Sequence, residues 1–248
     1  VRKNIRLSFP EKTEAEQNTI VNAFYHHFAD LLVEIIYGYR VSDEEMRERV
    51  CFENMELLEE LARKNHGVIA YLGHMCNWEW IADVGKQFMD KSIVEYNVYR
   101  KQKNAKVDHA MLLLRSKRGG ECVEKNVLLR KLVQLRHVDH PYVVGLIADQ
   151  KPSPRNAHVW TTFLNQDTAF LDGGEVLARK FGLGVVYANI TSPKRGHYYV
   201  HFELITDNPT ALPENTITLT YARMIETNIC QQPERWLWTH NRWKWSRQ

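Results

Sequence analysis

Apolar residues at helical spacing dominate the first quarter of the chain. Between residues 14 and 37 they recur three or four positions apart, which predicts an amphipathic helix. The run Ser42-Asp43-Glu44-Glu45 is typical of a helix N-terminus and opens a second helix, which the apolar spacing extends to about Lys64. We therefore expect a helical N-terminal part, residues 1–65, that packs beside the rest of the fold.

From residue 66 onward, short apolar runs alternate with amphipathic stretches. The runs predict strands at 67–72, 92–99, 121–123, 142–148, 184–190 and 198–204, and the stretches between them predict helices at about 78–88, 105–115, 127–135, 173–182 and 213–230. This alternation indicates an α/β fold with a mostly parallel central sheet flanked by helices. The chain shows no internal repeat or linker, so we expect one domain, residues 1–248, in which residues 66–248 form an α/β catalytic core.

Composition narrows the possible functions. The chain has 248 residues, of which 44% are hydrophobic, and its 33 basic and 30 acidic residues are too evenly balanced to indicate nucleic-acid binding. The four cysteines are widely scattered, as is typical of free thiols, and His-Glu-x-x-His is absent, so we expect no metal. No signal peptide is visible, and no run approaches the ~20 apolar residues that span a bilayer.

The candidate chemistry lies directly after the first predicted strand. His74 falls in the loop that follows the strand, and Glu79 falls in the first turn of the next helix, with Asn77 as a possible N-cap. Ligands of open α/β sheets bind beyond the carboxyl ends of the strands. A glutamate that binds one imidazole nitrogen fixes the tautomer and prepares the other nitrogen to accept a proton. Alternatively, His74 is a loop histidine that a nearby carboxylate satisfies.

This histidine has no nucleophilic residue of its own to activate. Gly-x-Ser-x-Gly does not occur, and Cys76 is expected to be a packed or semi-exposed cysteine, because nothing in the sequence argues for a lowered thiol pKa. The attacking group would then be a hydroxyl or amine of the substrate, deprotonated by His74. The reaction that this implies is acyl transfer without an acyl-enzyme.

Four motifs in order resemble those of a known family. Gly73-His74-x-x-Asn77-Trp78-Glu79 resembles the His-x4-Asp/Glu motif of glycerolipid acyltransferases, in the form found in bacterial late lipid A acyltransferases, the lauroyl and myristoyl transferases. Tyr99-Arg100-x-x-x-Asn104, Ala148-Asp149-Gln150 and the stretch from Phe163 through Phe170 to Arg179 are similar to later blocks of that family. The resemblance covers roughly residues 44–248 and implies a glycerolipid acyltransferase-like fold.

The resemblance also implies roles for individual residues. His74 would be the general base, with Glu79 as its orienting partner, and Arg100 would stabilise charge in or near the tetrahedral intermediate. Asp149 would support the site by orienting Arg100 or the acceptor. The residues expected to bind substrate are Asn77, Tyr99, Asn104, Gln150, Trp160 and Phe163. Read from the residues alone, an arginine such as Arg100 at a strand end is more often part of a surface ion pair, and Asp149 could cap a helix or a loop.

The implied substrates are a thioester donor, acyl carrier protein or acyl-CoA, and a hydroxyl of a phosphorylated glycolipid acceptor, a lipid A precursor. No cofactor beyond the donor and no nucleic-acid partner are expected. The resemblance places the enzyme on the cytoplasmic face of a bacterial inner membrane, with an N-terminal anchor ahead of Val1. Two alternatives stay open: an acyltransferase of the same family with another glycolipid or phospholipid acceptor, and a non-catalytic module that binds membrane or nucleic acid.

Two basic stretches suit an anionic partner. Residues 101–136 carry an excess of Lys and Arg that fits anionic headgroups, a phosphorylated glycolipid or an acidic carrier protein. In residues 235–247, four tryptophans alternate with cations, a pairing typical of a membrane interface, although base stacking and core packing are alternatives. We expect this tail to contact the membrane surface.

Overall fold

The structure, a computed structural model, describes residues 1–244. The helices are α1 (Arg2–Ser8), α2 (Glu14–Tyr37), α3 (Asp43–Arg49), α4 (Met55–Asn65), α5 (Val84–Gln87), α6 (Ala105–Lys117), α7 (Leu128–Leu135), α8 (Gly173–Phe181) and α9 (Thr216–Gln231). The strands are β1 (Val50–Glu53), β2 (Gly67–Leu72), β3 (Val94–Tyr99), β4 (Glu121–Glu124), β5 (Tyr142–Ile147), β6 (Val159–Phe163), β7 (Gln166–Phe170), β8 (Gly184–Lys194) and β9 (His197–Thr206).

Seven of these strands form the central sheet, in the order β1-β9-β8-β2-β5-β3-β4. Every neighbouring pair is parallel except β8 and β9, which are antiparallel. Strands β6 and β7 form a separate antiparallel hairpin. The prediction of a single α/β domain with a mostly parallel sheet is confirmed.

The centre of the sheet sets the position of the candidate chemistry. All six residues of β2 are buried, as expected for a strand covered on both faces. The register pairs Leu72 of β2 with Ile147 of β5. His74 and Asp149 each follow their strand by two residues, so both leave the sheet at the same edge.

The predicted second helix is divided in the structure. Helix α3 ends at Arg49, β1 pairs in parallel with β9, and α4 begins after Asn54, whose φ of 59° turns the chain. The edge of β9 offers unpaired backbone groups to a β-branched and aromatic run, Val50-Cys51-Phe52, and this pairing overrides the helical spacing. Residues 1–65 therefore contribute a strand and are not wholly helical.

Two other stretches also differ from their prediction. The expected helix at 78–88 is a 3₁₀ turn, Trp80–Asp83, followed by the short α5. Between the predicted strand at 142–148 and the predicted helix at 173–182 the sequence predicts neither helix nor strand, but this stretch contains β6 and β7, which pair with each other. Across residues 1–244, no helix combines the length and the apolar character that crossing a membrane requires.

The described part of the tryptophan-rich tail, residues 235–244, packs against the core. Trp236 and Trp238 are 2% and 0% exposed, and the buried Arg242 donates to the carbonyl of Ala169. Trp243 donates to the hydroxyl of Thr168. The expectation of an interfacial tail is therefore wrong for these residues, because their indoles and guanidinium find partners inside the fold. Trp245 and Arg247 lie outside the described residues.

Candidate active site

His74 is held between two residues that follow β5. Its Nδ1 lies 2.6 Å from Oδ1 of Asp149, and its Nε2 lies 3.2 Å from the amide nitrogen of Gln150. Because a carboxylate only accepts hydrogen bonds, Nδ1 carries the proton and Nε2 presents its lone pair to the amide N–H. This is the tautomer that a general base requires.

Asp149 is buried and ionised. Its Oδ2 accepts hydrogen bonds from the backbone N–H of His74 at 2.9 Å and from the indole N–H of Trp236 at 2.7 Å. Burial by itself raises the pKa of the Asp149 carboxyl, but the positive charge that His74 carries when protonated and the hydrogen bonds from His74 and Trp236 together hold this pKa below its ordinary value. Asp149 therefore stays charged and fixes the orientation of the imidazole.

The loop that carries His74 is fixed by backbone pairing with the tail. Cys76 N donates to the carbonyl of Arg235 at 2.9 Å, and Leu237 N donates to the carbonyl of His74 at 3.1 Å. Gly73 is packed so closely that a Cβ there would clash with Cδ1 of Ile225 on α9. The imidazole thus projects from a loop with little freedom to move.

Glu79 does not contact His74, and the expected hydrogen bond between them is therefore a wrong prediction. The Glu79 carboxylate instead accepts two hydrogen bonds from Arg115 of α6, at 2.8 and 2.7 Å, and one from the indole of Trp78 at 3.2 Å. Asp149 is the carboxylate that binds His74, because β2 and β5 are neighbouring strands in register. Glu79 pairs with Arg115 instead, because a partly buried guanidinium requires a carboxylate partner. The Trp78 ring packs edge-on to the His74 ring, with centroids 5.0 Å apart, so Glu79 reaches the site only through this tryptophan.

Among the predicted substrate-binding residues, Gln150 contacts His74 and the two asparagines do not. Asn77 is buried and donates to Glu34 of α2 at 2.9 Å, so it anchors the loop to that helix and is not an N-cap. Asn104 caps α6, accepting from the N–H groups of Lys106 and Val107.

The remaining predicted residues form no hydrogen bond or ring contact with His74. The side chain of Arg100 is exposed and forms no ion pair within residues 1–244, whereas the ring of Tyr99 lies 5.9 Å from the guanidinium of Arg115. Trp160 donates to the carbonyl of Ala157 at 2.9 Å, and the buried Phe163 packs edge-on against Trp236. Binding roles for these residues stay predictions.

A narrow, largely apolar cavity of about 60 Å³ lies beside Trp78. It lies between one face of the sheet and residues 78–84, and its lining includes the small residues Ala70, Ala82, Gly145 and Ala188. Its polar lining is confined to Glu79, Arg115, Glu95 and Asn97. Such a cavity has the lining expected of a site for an apolar chain.

Within residues 1–244, the structure also places the Cys76 thiol and the side chains that could hold a metal. Cys76 is fully buried, and burial raises the pKa of its thiol far above the ordinary value, so it is not an activated nucleophile. No group of three His, Cys, Asp or Glu side chains in this part of the chain is arranged to hold a metal ion.

Two residues of the site could not be found from the sequence. Arg115 lies 36 positions from Glu79, and Trp236 lies 87 positions from Asp149. No local pattern links either pair, because each forms only when the helix or the tail packs against the sheet. The sequence pattern predicted an interfacial role for Trp236 and gave no sign of its hydrogen bond to Asp149.

The chain is similar to enzymes of one biosynthetic class over nearly its whole length. The family described as bacterial lipid A biosynthesis acyltransferase matches residues 1–245. The lipid A biosynthesis palmitoleoyltransferase of Escherichia coli (strain K12) is 22% identical over 245 residues, 98% of this chain and 77% of the relative. The lipid A biosynthesis myristoyltransferase of the same strain is 21% identical over 236 residues, 95% of this chain and 71% of the relative. The match includes the N-terminal helices.

Proposed function

Since the chain belongs to the bacterial lipid A biosynthesis acyltransferase family, we propose that it moves a fatty acyl chain from a thioester donor to a hydroxyl of a lipid A precursor. The chain is an acyltransferase by its family. The observation that carries the finer proposal is the placement of His74, whose Nε2 is held as an acceptor between Asp149 and Gln150.

In the proposed reaction the acceptor hydroxyl takes the place of the Gln150 amide at Nε2 of His74. The hydroxyl oxygen attacks the thioester carbonyl carbon as its proton passes to Nε2, which forms a tetrahedral intermediate and an imidazolium. The C–S bond then breaks, and the imidazolium returns the proton to the departing thiolate. Asp149 stabilises the imidazolium throughout and stays ionised.

The tetrahedral intermediate needs a donor for its oxyanion. The amide of Gln150 carries two N–H groups, and it already lies 3.2 Å from Nε2. We assign this role to Gln150 because Arg100 makes no contact with His74. The exposed guanidinium of Arg100 is better suited to a phosphate of the acceptor, which a planar cation binds in bidentate fashion.

The apolar cavity beside Trp78 would hold the acyl chain. The Glu79–Arg115 pair belongs to its lining, and Glu79 also accepts a hydrogen bond from the indole of Trp78. We infer that the donor, acyl carrier protein or acyl-CoA, delivers the thioester between His74 and Trp78, whose rings are in contact, and that no further cofactor takes part. Because the acceptor is a lipid, we propose that the enzyme works at a membrane surface, on the cytoplasmic face of a bacterial inner membrane.

The test is acyl transfer with purified protein, an acyl thioester donor and a phosphorylated glycolipid acceptor. A positioned general base contributes roughly 10²–10⁴-fold, so His74→Ala should lose at least about 100-fold in turnover with the fold intact. His158→Ala is the matched control, because His158 also pairs with an aspartate, Asp172 at 3.1 Å, but on the exposed surface. A His74→Ala enzyme that kept half of the wild-type rate would remove His74 as the base. If the enzyme acylated a phospholipid and not the glycolipid, the proposed acceptor would be wrong.

A further inference from the structure

The solvent side of α2 is apolar along its second half. Leu32, Val33 and Ile36 are 49%, 66% and 71% exposed, and Tyr25 lies on the same side of the helix. The acidic residues of this stretch point elsewhere: Asp30 pairs with Arg195, and the buried Glu34 binds Asn77 and Tyr198. An exposed apolar face without charged residues is uncommon on a soluble surface and marks an interaction site.

This face continues onto α6. The hydroxyl of Tyr39 donates to the carbonyl of Ala110 at 2.7 Å, and Lys117 donates back to the carbonyl of Tyr39 at 2.8 Å. Ala110, Leu113 and Lys117 are three and four positions apart and so share one side of α6, with Leu113 53% exposed between the two contacts. Tyr25, Leu32, Val33, Ile36, Tyr39 and Leu113 together form what we call the apolar face.

Positively charged side chains flank the apolar face. Arg40 follows α2 directly, and Lys103 and Lys106 lie at the start of α6. All three are exposed, and none forms an ion pair with another residue in the part of the chain that is described, 1–244. Apolar side chains bordered by Lys and Arg are the composition that suits the headgroup region of an anionic leaflet.

The opposite side of α2 supports the active site. Glu34 binds Asn77 in the loop after His74, and His27 lies 3.2 Å from the guanidinium of Arg235, whose carbonyl pairs with Cys76. A helix with its side chains is about 10–12 Å across. A surface that touched the apolar face would therefore lie about one helix diameter from the loop that carries His74.

We propose that the apolar face docks on the surface of an anionic lipid bilayer and presents the active site to an acceptor held in that bilayer. The inference rests on the proposed lipid acceptor and names the surface that meets it. A second copy of the chain is a poorer occupant, because a two-fold contact through this face would bring the flanking cations of both copies together, and like charges at an interface are unfavourable.

The experiment measures binding of the purified full chain to vesicles of phosphatidylethanolamine with and without phosphatidylglycerol. Leu32→Ser with Ile36→Ser should weaken binding to the anionic vesicles by about 10- to 100-fold, since two large apolar side chains no longer leave water. Arg40→Gln with Lys106→Gln should weaken it by roughly fivefold per cation at low salt and little at high salt. Both variants change exposed side chains, so the melting temperature should stay near that of the wild type.

The matched control is Leu129→Ser with Val133→Ser. These residues are also four apart on a helix, α7, and are 47% and 46% exposed, but they lie outside the apolar face. Vesicle binding of this control variant should equal that of the wild type. If the control lost as much binding as Leu32→Ser with Ile36→Ser, the loss would reflect exposed apolar area anywhere on the surface, and the proposal would be overturned.

Two further outcomes would overturn the proposal. One is unchanged vesicle binding in Leu32→Ser with Ile36→Ser. The other is a wild-type dimer that this variant converts to a monomer, which would make the face an interface between copies. Acyl transfer to an acceptor dissolved in detergent should be unaffected by the variant, so failure of the docking surface is distinguishable from failure of the proposed reaction.

Discussion

The substitution Asp149→Asn isolates the residue that the structure places on His74. In the wild-type protein, two donors converge on Oδ2 of Asp149, the N–H of His74 and the indole N–H of Trp236, and Oδ1 faces Nδ1 of His74. An asparagine has only one acceptor oxygen. That oxygen should take the position with two donors, which turns the amide NH₂ toward Nδ1.

The expected consequence is the wrong tautomer of His74. An NH₂ group facing Nδ1 requires a lone pair there, so the proton moves to Nε2, the atom that must accept the proton of the substrate hydroxyl. The analogous change in a Ser-His-Asp triad lowers kcat by about 10⁴-fold, and we expect a loss of that order. Hydrogen bonds to a charged group are stronger than those to a neutral group, and Asp149→Asn removes the charge. The free energy of unfolding should therefore fall by about 1–3 kcal/mol, which corresponds to several degrees in Tm.

The assay compares kcat and Tm of Asp149→Asn with those of Glu79→Gln. Glu79→Gln removes the charge that Arg115 pairs with, at side-chain exposures of 7% and 20%, and should lower stability by about 3–5 kcal/mol. Its kcat, measured on the folded protein, should stay within about tenfold of the wild type, because Glu79 acts through Trp78. A loss near 10⁴-fold in Glu79→Gln with less than tenfold in Asp149→Asn would refute this reasoning and restore Glu79 as the orienting residue.

Two other substitutions test the packing around the site. Burial raises the pKa of Glu95 to about 8, against an ordinary 4.5, so the folded protein keeps a proton on Glu95 that the unfolded chain releases. The free energy of unfolding should therefore fall by roughly 4–5 kcal/mol as the pH rises from about 4.5 to 8. Urea unfolding of Glu95→Gln should lack this fall, and a wild-type free energy that stays constant across this pH range would contradict the assignment. Gly73→Ala should lower kcat and Tm through its clash with Ile225, and adding Ile225→Val, which removes Cδ1, should restore part of both; no recovery in the double variant would place the fault in the backbone.

The sequence by itself predicted six of the seven strands of the central sheet and the position of His74 after one of them. The run 67–72 is apolar throughout because both faces of a central parallel strand are covered, and β2 occupies the predicted residues. The spacing of apolar residues likewise predicted α2, since one face of that helix packs on the core. These are local signals, carried by neighbouring residues, and they survive in the folded protein.

Tertiary structure decided which side chains meet. Asp149 reaches His74 because β2 and β5 pair in register, across 75 positions of sequence, and Trp236 reaches Asp149 because the tail packs under the catalytic loop. The motif spacing pointed to Glu79 instead, since a sequence shows which carboxylate is near along the chain and not which one is near in space. The same limit explains β1, which became a strand because the edge of β9 was free to pair, and it explains Trp236 and Trp238, which are core residues because the fold supplies partners for their indoles.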